Sequence, residues 1–574
     1  MYKTGPWNLN EIKPKDLDLA LKEIQETVSK LVKRRKELTN KISPSLFMQW
    51  VKEIESMKID INKLSAYISL KFAEDSSDQL ATANLSKVEN QLTKINNQLL
   101  FFGLWFKDLP EHKAKELIKH SKEYSYHFEQ LRAVKPYALN EREEQIINIK
   151  DLTGVSALNN VYRLLTGQFE YKYRGKTLTQ EEVIVMVRDP NPEVRKKAYL
   201  LLLEKYKSHK DVIGEIYKNI VNDWREESIH LRGYKSPINV RNIANDIPDE
   251  AVEVLLKVCE KNQHLFHHFF ELKRKNLGLK KMTRFDLYSP IKKKKEEKID
   301  YNESLNLVLE VFEKFSPKFK EGALEIINQD HVHSEVKKNK QSGAFCMSVH
   351  AKLPPYVLWS YTGTLRDVST IAHELGHGIH HILSRENTEY TFHSSLPLAE
   401  TASVFSEMIL SEKVAEKYPQ KAKELLYYKI DDIYATIIRQ AGFVAFEKKA
   451  HEMMKEGKTI DEMSAVYLEM LKNQLGQKVE IDPIFAYEWC YIPHIFSSPF
   501  YCYAYAFGNL LTLALYEMYK EKGHHFVPKI IEMLAKGGSA SPVDITKAVG
   551  IDICSEAFWQ KGFDVIEGMI NKLE

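Results

Sequence analysis

Apolar residues recur at intervals of three and four over most of this chain, the spacing of helices that bury one face. Leu17, Leu19, Leu21, Ile24, Val28 and Leu31 form a first stripe, and residues 78–107 form a second that ends in the apolar cluster from Leu99 to Phe106. Residues 15–135 are therefore predicted to be long helices, a hairpin or bundle with solvated charged faces that packs on the rest of the chain through its aromatic end. From about 140 to 335 the helical pattern continues. It breaks at Phe169–Thr179, where alternation on either side of Arg174-Gly175 predicts a short hairpin. Asp189-Pro190-Asn191-Pro192 reads as a turn into a helix whose early Glu193 suits the dipole. Ser342–Ala351 and Tyr356–Tyr361 read as strands of a small sheet. Phe500–Tyr516 carries no charge, yet it holds Gly508, Asn509, Thr512 and four tyrosines, so it reads as a buried helix and not as a membrane span.

One helical stripe carries chemistry. Val368, Ile371, Ala372, Leu375 and Ile379 recur behind Thr364 and Asp367, which read as an N-cap with an acidic partner three positions on. On that helix lies His373-Glu374-Leu375-Gly376-His377. Histidines four apart differ by about 40° in direction and one turn in height, so both imidazoles can reach one ion. Glu374 stands beside that ion, free to act as a base toward water. A catalytic zinc takes three protein ligands, and the second helical pattern after Pro397 offers Glu400 as the third. Glu407 lies two turns further along the same face, where it would hold the outer N–H of a ligating histidine. His331 and His333 alternate as strand neighbours but have no supporting ligand cluster; they read as a strand-end pair, and His524-His525 is discounted likewise. His380 and His381 continue the metal helix, and His380 reads as a packing or supporting group.

Composition narrows the class without naming it. At 574 residues, two or three lobes are expected, and 44% apolar with 28% charged residues is ordinary for a globular chain. Eighty-two Lys and Arg against 79 Asp and Glu give no electrostatic case for nucleic acid or for an anionic membrane. The basic run Lys292–Lys295 is followed at once by Glu296 and Glu297 and reads as an exposed loop. Five scattered cysteines without a C-x-x-C pair, and a first stretch without an apolar signal segment, predict a reduced, cytoplasmic setting.

The motifs taken in order carry a resemblance. Lys340-Gln341-Ser342-Gly343-Ala344-Phe345-Cys346, Tyr361-Thr362-Gly363-Thr364, the His373–His377 run and Ala399-Glu400-Thr401-Ala402-Ser403 resemble oligoendopeptidase F and the wider thimet oligopeptidase family of zinc peptidases. Ile492-Pro493-His494, Phe500–Ala506, Gly537-Gly538-Ser539 with Pro542, and Gly550-Ile551-Asp552 follow in the same order. The likeness covers roughly residues 150–574. It implies a mainly α-helical, two-lobed metallopeptidase with a deep central substrate channel and a small β-sheet beside the zinc helix, admitting short unstructured peptides. It implies that Gly343, Ala344, Phe345 and Cys346 line the substrate cleft, where a sheet edge can accept an extended peptide through backbone hydrogen bonds.

Peptide hydrolysis also needs donors to the oxyanion, and the stretch from His494 through Tyr501, Tyr503 and Tyr505 supplies them. On a helix Tyr501 and Tyr505 share a face while Tyr503 points about 200° away. Matching the following helix to the family places the role at Tyr503, with His494 beside it and Tyr501 as the other tyrosine in play. The expectation is a zinc endopeptidase holding one Zn²⁺ per chain through His373, His377 and Glu400, with oligopeptides as its partners. An exopeptidase on the same fold would share the metal site, and a non-catalytic peptide binder would not need all four of His373, Glu374, His377 and Glu400. Expected regions are 1–135 as the N-terminal helical part packing on the catalytic lobe, 136–335 as a helical wall of the channel with its hairpin, and 336–574 as the zinc region, the lobes being built from non-contiguous segments.

Overall fold

The computed structural model describes residues 2–291 and 298–574, so the basic run at 292–295 lies outside the described residues. Helices make up 72% of it, with a few short strands. The chain divides into two units, each assembled from three segments: Met1–Ile146, Glu296–Lys413 and Met518–Ile551 form the first, and Ile147–Lys295, Val414–Glu517 and Asp552–Glu574 the second. Divisions at 135 and 335 do not separate these units, because segments distant in sequence share each core.

In the first unit, helices Leu17–Lys33, Pro44–Glu74 and Gln79–Asp108 build an N-terminal bundle. Leu21, Ile24, Val28 and Leu31 of the first stripe are buried, whereas Leu19 is exposed and lies off it. The aromatic end of the third helix does not dock outward. Phe101, Phe102, Trp105 and Phe106 close the bundle's own core against Phe47, Trp50 and Phe128. The bundle meets the rest of its unit through a different surface: Trp7, Ala66, Leu70 and Ala73 pack with Val349, Tyr356 and Leu358. A polar chain adds to this, since the Tyr124 hydroxyl donates to Glu55 (2.6 Å) and Glu55 accepts from the Glu389 N–H (3.0 Å).

The sheet of this unit has Tyr356–Leu358 at its centre, parallel to Val332–His333 and antiparallel to Phe345–Met347. Its strands are shorter than the sequence pattern predicts. The outer strand Phe345–Met347 pairs with Tyr356–Leu358 and, among the described residues, has no strand on its other side. His331 and His333 are both buried and both structural: the first stacks on Tyr356 (4.0 Å between ring centres) and bonds the Pro354 carbonyl, and the second meets Trp7 edge-on.

In the second unit, Tyr171–Tyr173 and Lys176–Leu178 form the hairpin, with Arg174 and Gly175 both at positive φ as a two-residue turn requires. Its interior contains a charged hub. Glu488 accepts from Arg284 (2.6 Å), Arg439 (3.0 Å) and the Tyr467 hydroxyl (2.9 Å), so two buried cations share one carboxylate whose pKa they hold down against burial. Beside it Tyr162 stacks on Phe496 at 4.1 Å and donates to the Cys490 carbonyl at 2.9 Å, fixing the turn region that carries His494. The uncharged stretch is a buried helix, Tyr503–Lys522. No helix among the described residues is long and apolar enough to cross a membrane. All five cysteines are free thiols.

Candidate active site

The helix Leu365–Ser384 starts with a reciprocal cap. Thr364 accepts from the Asp367 N–H, and Asp367 accepts from the N–H groups of Thr362 and Thr364 at 2.8 and 3.0 Å. Its buried stripe of Val368, Ile371, Ala372, Leu375 and Ile379 turns His373 and His377 to a half-open face. The next helix, Thr401–Lys417, passes close behind because Gly376 has no side chain. A Cβ there would lie 2.6 Å from the Ser403 Cα and 2.8 Å from the Ala402 carbonyl oxygen. The glycine at the fourth position of the pentapeptide is thus a requirement of the helix contact, a role that its close-approach residue type hints at but that only the partner helix reveals.

Glu400 sits at the junction between Leu396–Ala399 and Thr401–Lys417, in a break between helices. Its Oε2 lies 3.4 Å from the Nε2 atoms of both His373 and His377, and the three donor atoms lie within 4.8 Å of one another. That distance is too long for a hydrogen bond. It is the spacing of ligands around a tetrahedral ion, for which bonds of about 2.0–2.1 Å set donors about 3.3–3.4 Å apart. Two imidazoles and one carboxylate converging on a point are a donor set suited to a divalent metal.

Supporting groups aim each donor. Glu407 accepts from His373 Nδ1 at 2.6 Å, which directs Nε2 toward Glu400 and His377. Glu407 is itself held by the Ser369 hydroxyl (3.3 Å), and Glu400 by the Ser403 hydroxyl (2.8 Å). His377 is hydrogen-bonded to the Ala399 backbone. Burial pushes the His373 pKa down, but Glu407, Glu400 and Glu374 outweigh it and raise it to about 9 in the metal-free arrangement. Glu374 is buried, and burial pushes its carboxyl up to about 7, reinforced by Glu400 and Glu407 and opposed by His373. A carboxyl held near neutrality in that position can both take and return a proton.

The outer strand lies against this helix. Strand alternation turns Phe345 and Met347 into the cluster around Trp7 and Tyr356, and Cys346 toward the metal helix. There burial, then the charge of Glu374, pushes its thiol pKa well up. Gly343 has positive φ and open space where a Cβ would stand, and Ala344 is half-buried. His380 and His381 are buried, with pKa values lowered by burial to about 4 and about 3; His381 bonds the Ser348 hydroxyl.

In the second unit the candidates separate. Tyr503 is fully buried, and its hydroxyl accepts from the Asn245 side-chain amide at 2.9 Å. The assignment of the oxyanion donor to Tyr503 is corrected on this ground, because a core hydroxyl committed to Asn245 has no access to a substrate. His494, Tyr501 and Tyr505 instead form one half-exposed aromatic group, with ring centres 6.3, 5.9 and 5.1 Å apart. Tyr501 belongs to a turn before the helix and not to the helix itself, so the helical spacing used to relate it to Tyr503 and Tyr505 does not apply to it.

Among the described residues one further group has ligand-like spacing, Asp151 with Asp223 and Glu227 in the second unit. It has no nitrogen or sulfur donor, and Glu227 is paired with Arg232 at 2.7 Å.

Comparison with known proteins agrees with this geometry. The model of peptidase family M3 matches residues 185–565, and that of oligopeptidase F matches residues 105–171. An oligoendopeptidase F homolog of Borreliella burgdorferi is 26% identical, with 99% of each chain covered, and oligopeptidase PepF of Bacillus subtilis is 24% identical over 99% of this chain and 86% of its own. The crystal structure of oligoendopeptidase-F from Enterococcus faecium superimposes with a TM-score of 0.75 at 19% identity, covering 97% of this chain and 98% of that one. A family model that spans well over half the chain and includes the His373, His377 and Glu400 cluster establishes that the chain belongs to peptidase family M3 and is a metallopeptidase.

Proposed function

We propose that the protein is a zinc-dependent endopeptidase of short, unstructured oligopeptides. The observation that carries this reading is the equal 3.4 Å approach of Glu400 Oε2 to two imidazole Nε2 atoms, with Glu374 buried beside them. His373, His377 and Glu400 hold the ion, which when bound supplies Lewis acidity to water and to the scissile carbonyl. Glu374 takes the proton of the attacking water at a carboxylate oxygen and delivers it to the leaving nitrogen. Glu407 keeps the proton of His373 on Nδ1, so Nε2 remains a ligand through the cycle. His494 and Tyr501 donate to the oxyanion, the role that Tyr503 relinquishes by its burial. The substrate backbone adds to the free edge of the outer strand, with Gly343 and Ala344 at its start and Phe345 and Cys346 within it. The relatives named oligoendopeptidase F and oligopeptidase support the choice of internal bonds in small peptides.

The test measures zinc per chain and cleavage of an internally quenched peptide blocked at both ends, for the protein and for Glu374→Gln. One zinc per chain in both, with cleavage reduced by about 10²–10⁴-fold in the variant, is the expected result. Cleavage of peptides with a free end only would make it an exopeptidase. A variant as active as the parent would remove Glu374 from the base role.

A further inference from the structure

Ser498-Pro499-Phe500-Tyr501 is a four-residue turn closed by the Tyr501 N–H on the Ser498 carbonyl at 3.1 Å. Proline stands second, and the third residue, Phe500, has φ of +58°. That is a type II turn, whose third position is ordinarily glycine because a side chain there is strained. Types I and II differ by a flip of the central peptide. A bulky third residue favours the type I state, in which its φ is negative. Both ends of this central peptide are held by side chains from other elements. Arg241, on the helix Pro237–Ala244, donates through Nε to the Pro499 carbonyl at 3.0 Å. Glu447, fully buried on the helix Arg439–Lys455, accepts from the Phe500 N–H at 2.8 Å. One side chain grips the oxygen and the other the N–H of a single peptide group, so a flip breaks both bonds at once.

We infer that Glu447, with Arg241, is a positioning residue that locks this turn in its strained state and thereby sets where the Tyr501 side chain stands. The residues on either side are tied down already. The Ser498 N–H bonds the His494 carbonyl at 2.8 Å, the Ala504 N–H bonds the Tyr501 carbonyl at 3.0 Å, and Asn245 holds Tyr503. A flip of the central peptide would break both clamp bonds and carry Phe500 out of its packing on His451, releasing the turn that fixes the Tyr501 backbone beside it. Phe500 contributes by its burial against His451, with ring centres 4.7 Å apart, which keeps glycine-like freedom out of the turn. The second oxygen of Glu447 has no hydrogen-bond partner among the described residues. Burial pushes the carboxyl up to about 8. Glutamine is therefore a close substitute that keeps the acceptor to Phe500.

This inference rests on the reading of Tyr501 as an oxyanion donor, and the experiment separates the two. Steady-state cleavage of the blocked peptide is measured on the full-length, zinc-loaded protein for Tyr501→Phe, Glu447→Ala, Glu447→Asp, Glu447→Gln and the double variant Tyr501→Phe/Glu447→Ala, with metal content and melting temperature recorded for each. The expected result is a kcat reduced about tenfold to a hundredfold in Glu447→Ala and Glu447→Asp, with KM within about twofold and metal retained, since a displacement of about 1 Å at a reacting group has effects of that size. Glu447→Gln should restore kcat to within about threefold of the parent, and Glu447→Ala should add less than about twofold to the loss already present in Tyr501→Phe. If Glu447→Ala does not fold, Glu447→Asp carries the test, because its shortened side chain withdraws the acceptor while keeping a carboxyl group. Tyr501→Phe as active as the parent overturns the donor reading and this inference with it. Tyr501→Phe impaired while Glu447→Asp and Glu447→Ala are unaffected, or losses that multiply in the double variant, overturns the positioning role alone.

Discussion

The metal centre and the tyrosine turn are built on opposite plans. His373, Glu374 and His377 stand on an uninterrupted helix with a capped start and a buried stripe, so their directions follow from a period of 3.6 residues. Tyr501 stands on a turn with a strained third position, held by Arg241 and Glu447 from helices that lie some 260 and 55 positions earlier in sequence. Local rules place the first set. Only long-range contacts place the second, and matching the following helix to the family selects Tyr503, the one tyrosine of the three that is buried. Regular elements make chemistry readable one residue at a time, whereas an irregular segment makes it depend on whatever clamps it.

The sharpest way to break this contrast is to exchange the two tyrosines. Tyr501→Phe should reduce kcat by about 10²–10³-fold, the usual cost of losing an oxyanion donor, while KM and metal content stay near those of the parent. Tyr503→Phe should leave kcat within about twofold and reduce stability by about 1 kcal/mol, since it removes one buried hydrogen bond to Asn245. A large kcat loss in Tyr503→Phe with none in Tyr501→Phe would restore the assignment to Tyr503.

A second prediction probes the metal side. Glu407→Ala removes the acceptor at His373 Nδ1 and frees the ring to turn or to change tautomer. Zinc affinity, measured by competition with a chromophoric chelator, should fall about 10–100-fold. Activity at saturating zinc should recover most of its loss. Unchanged affinity would show that packing alone aims His373.

Gly376 tests how far the regular helix depends on its neighbour. Gly376→Ala places a Cβ 2.6 Å from the Ser403 Cα, against backbone that cannot rotate away. The two helices must separate, at a cost of about 1–3 kcal/mol in stability, and Glu400 moves with the second of them. The melting temperature and zinc affinity should therefore fall together. In an isolated helix the same substitution would be stabilising, so a rise in melting temperature would show that the two helices are not in the contact described.

How much could be read in advance follows the same division. The Thr364–Asp367 cap, the buried stripe behind His373 and His377, and the Arg174-Gly175 hairpin are all written within a dozen residues, and each appears in the structure where the local pattern puts it. Glu400 is a partial case. Pro397 signals a helix start nearby, but nothing local announces the break at Glu400 or the close approach of the Thr401–Lys417 helix that Gly376 permits. The aromatic end of the third helix shows the limit of composition. Phe101, Phe102, Trp105 and Phe106 announce a buried patch, but nothing local says that Phe47, Trp50 and Phe128 complete it. The division into units was likewise hidden, since each combines three segments joined by long-range packing.

A last prediction is a pH dependence of stability on the tyrosine side, with no direct change to the metal centre. Glu447 ionises near the ordinary carboxylate value of 4.5 when the chain is unfolded, whereas burial pushes it up to about 8 in the native state. Among the groups that bear on it, Arg241 favours the carboxylate, while the Cys502 thiol and the Tyr217 hydroxyl are themselves kept neutral by burial. The native state thus keeps a proton that the unfolded chain releases, so this group's contribution to stability is full below about 4.5 and is lost as pH rises toward 8. Glutamine has no proton to lose. The melting temperature of Glu447→Gln relative to the parent should accordingly rise between pH 5 and pH 8 and level off above, and a difference that stays flat across that range would mean that the carboxylate on the Phe500 N–H is already charged at low pH, held by Arg241 more strongly than burial opposes it.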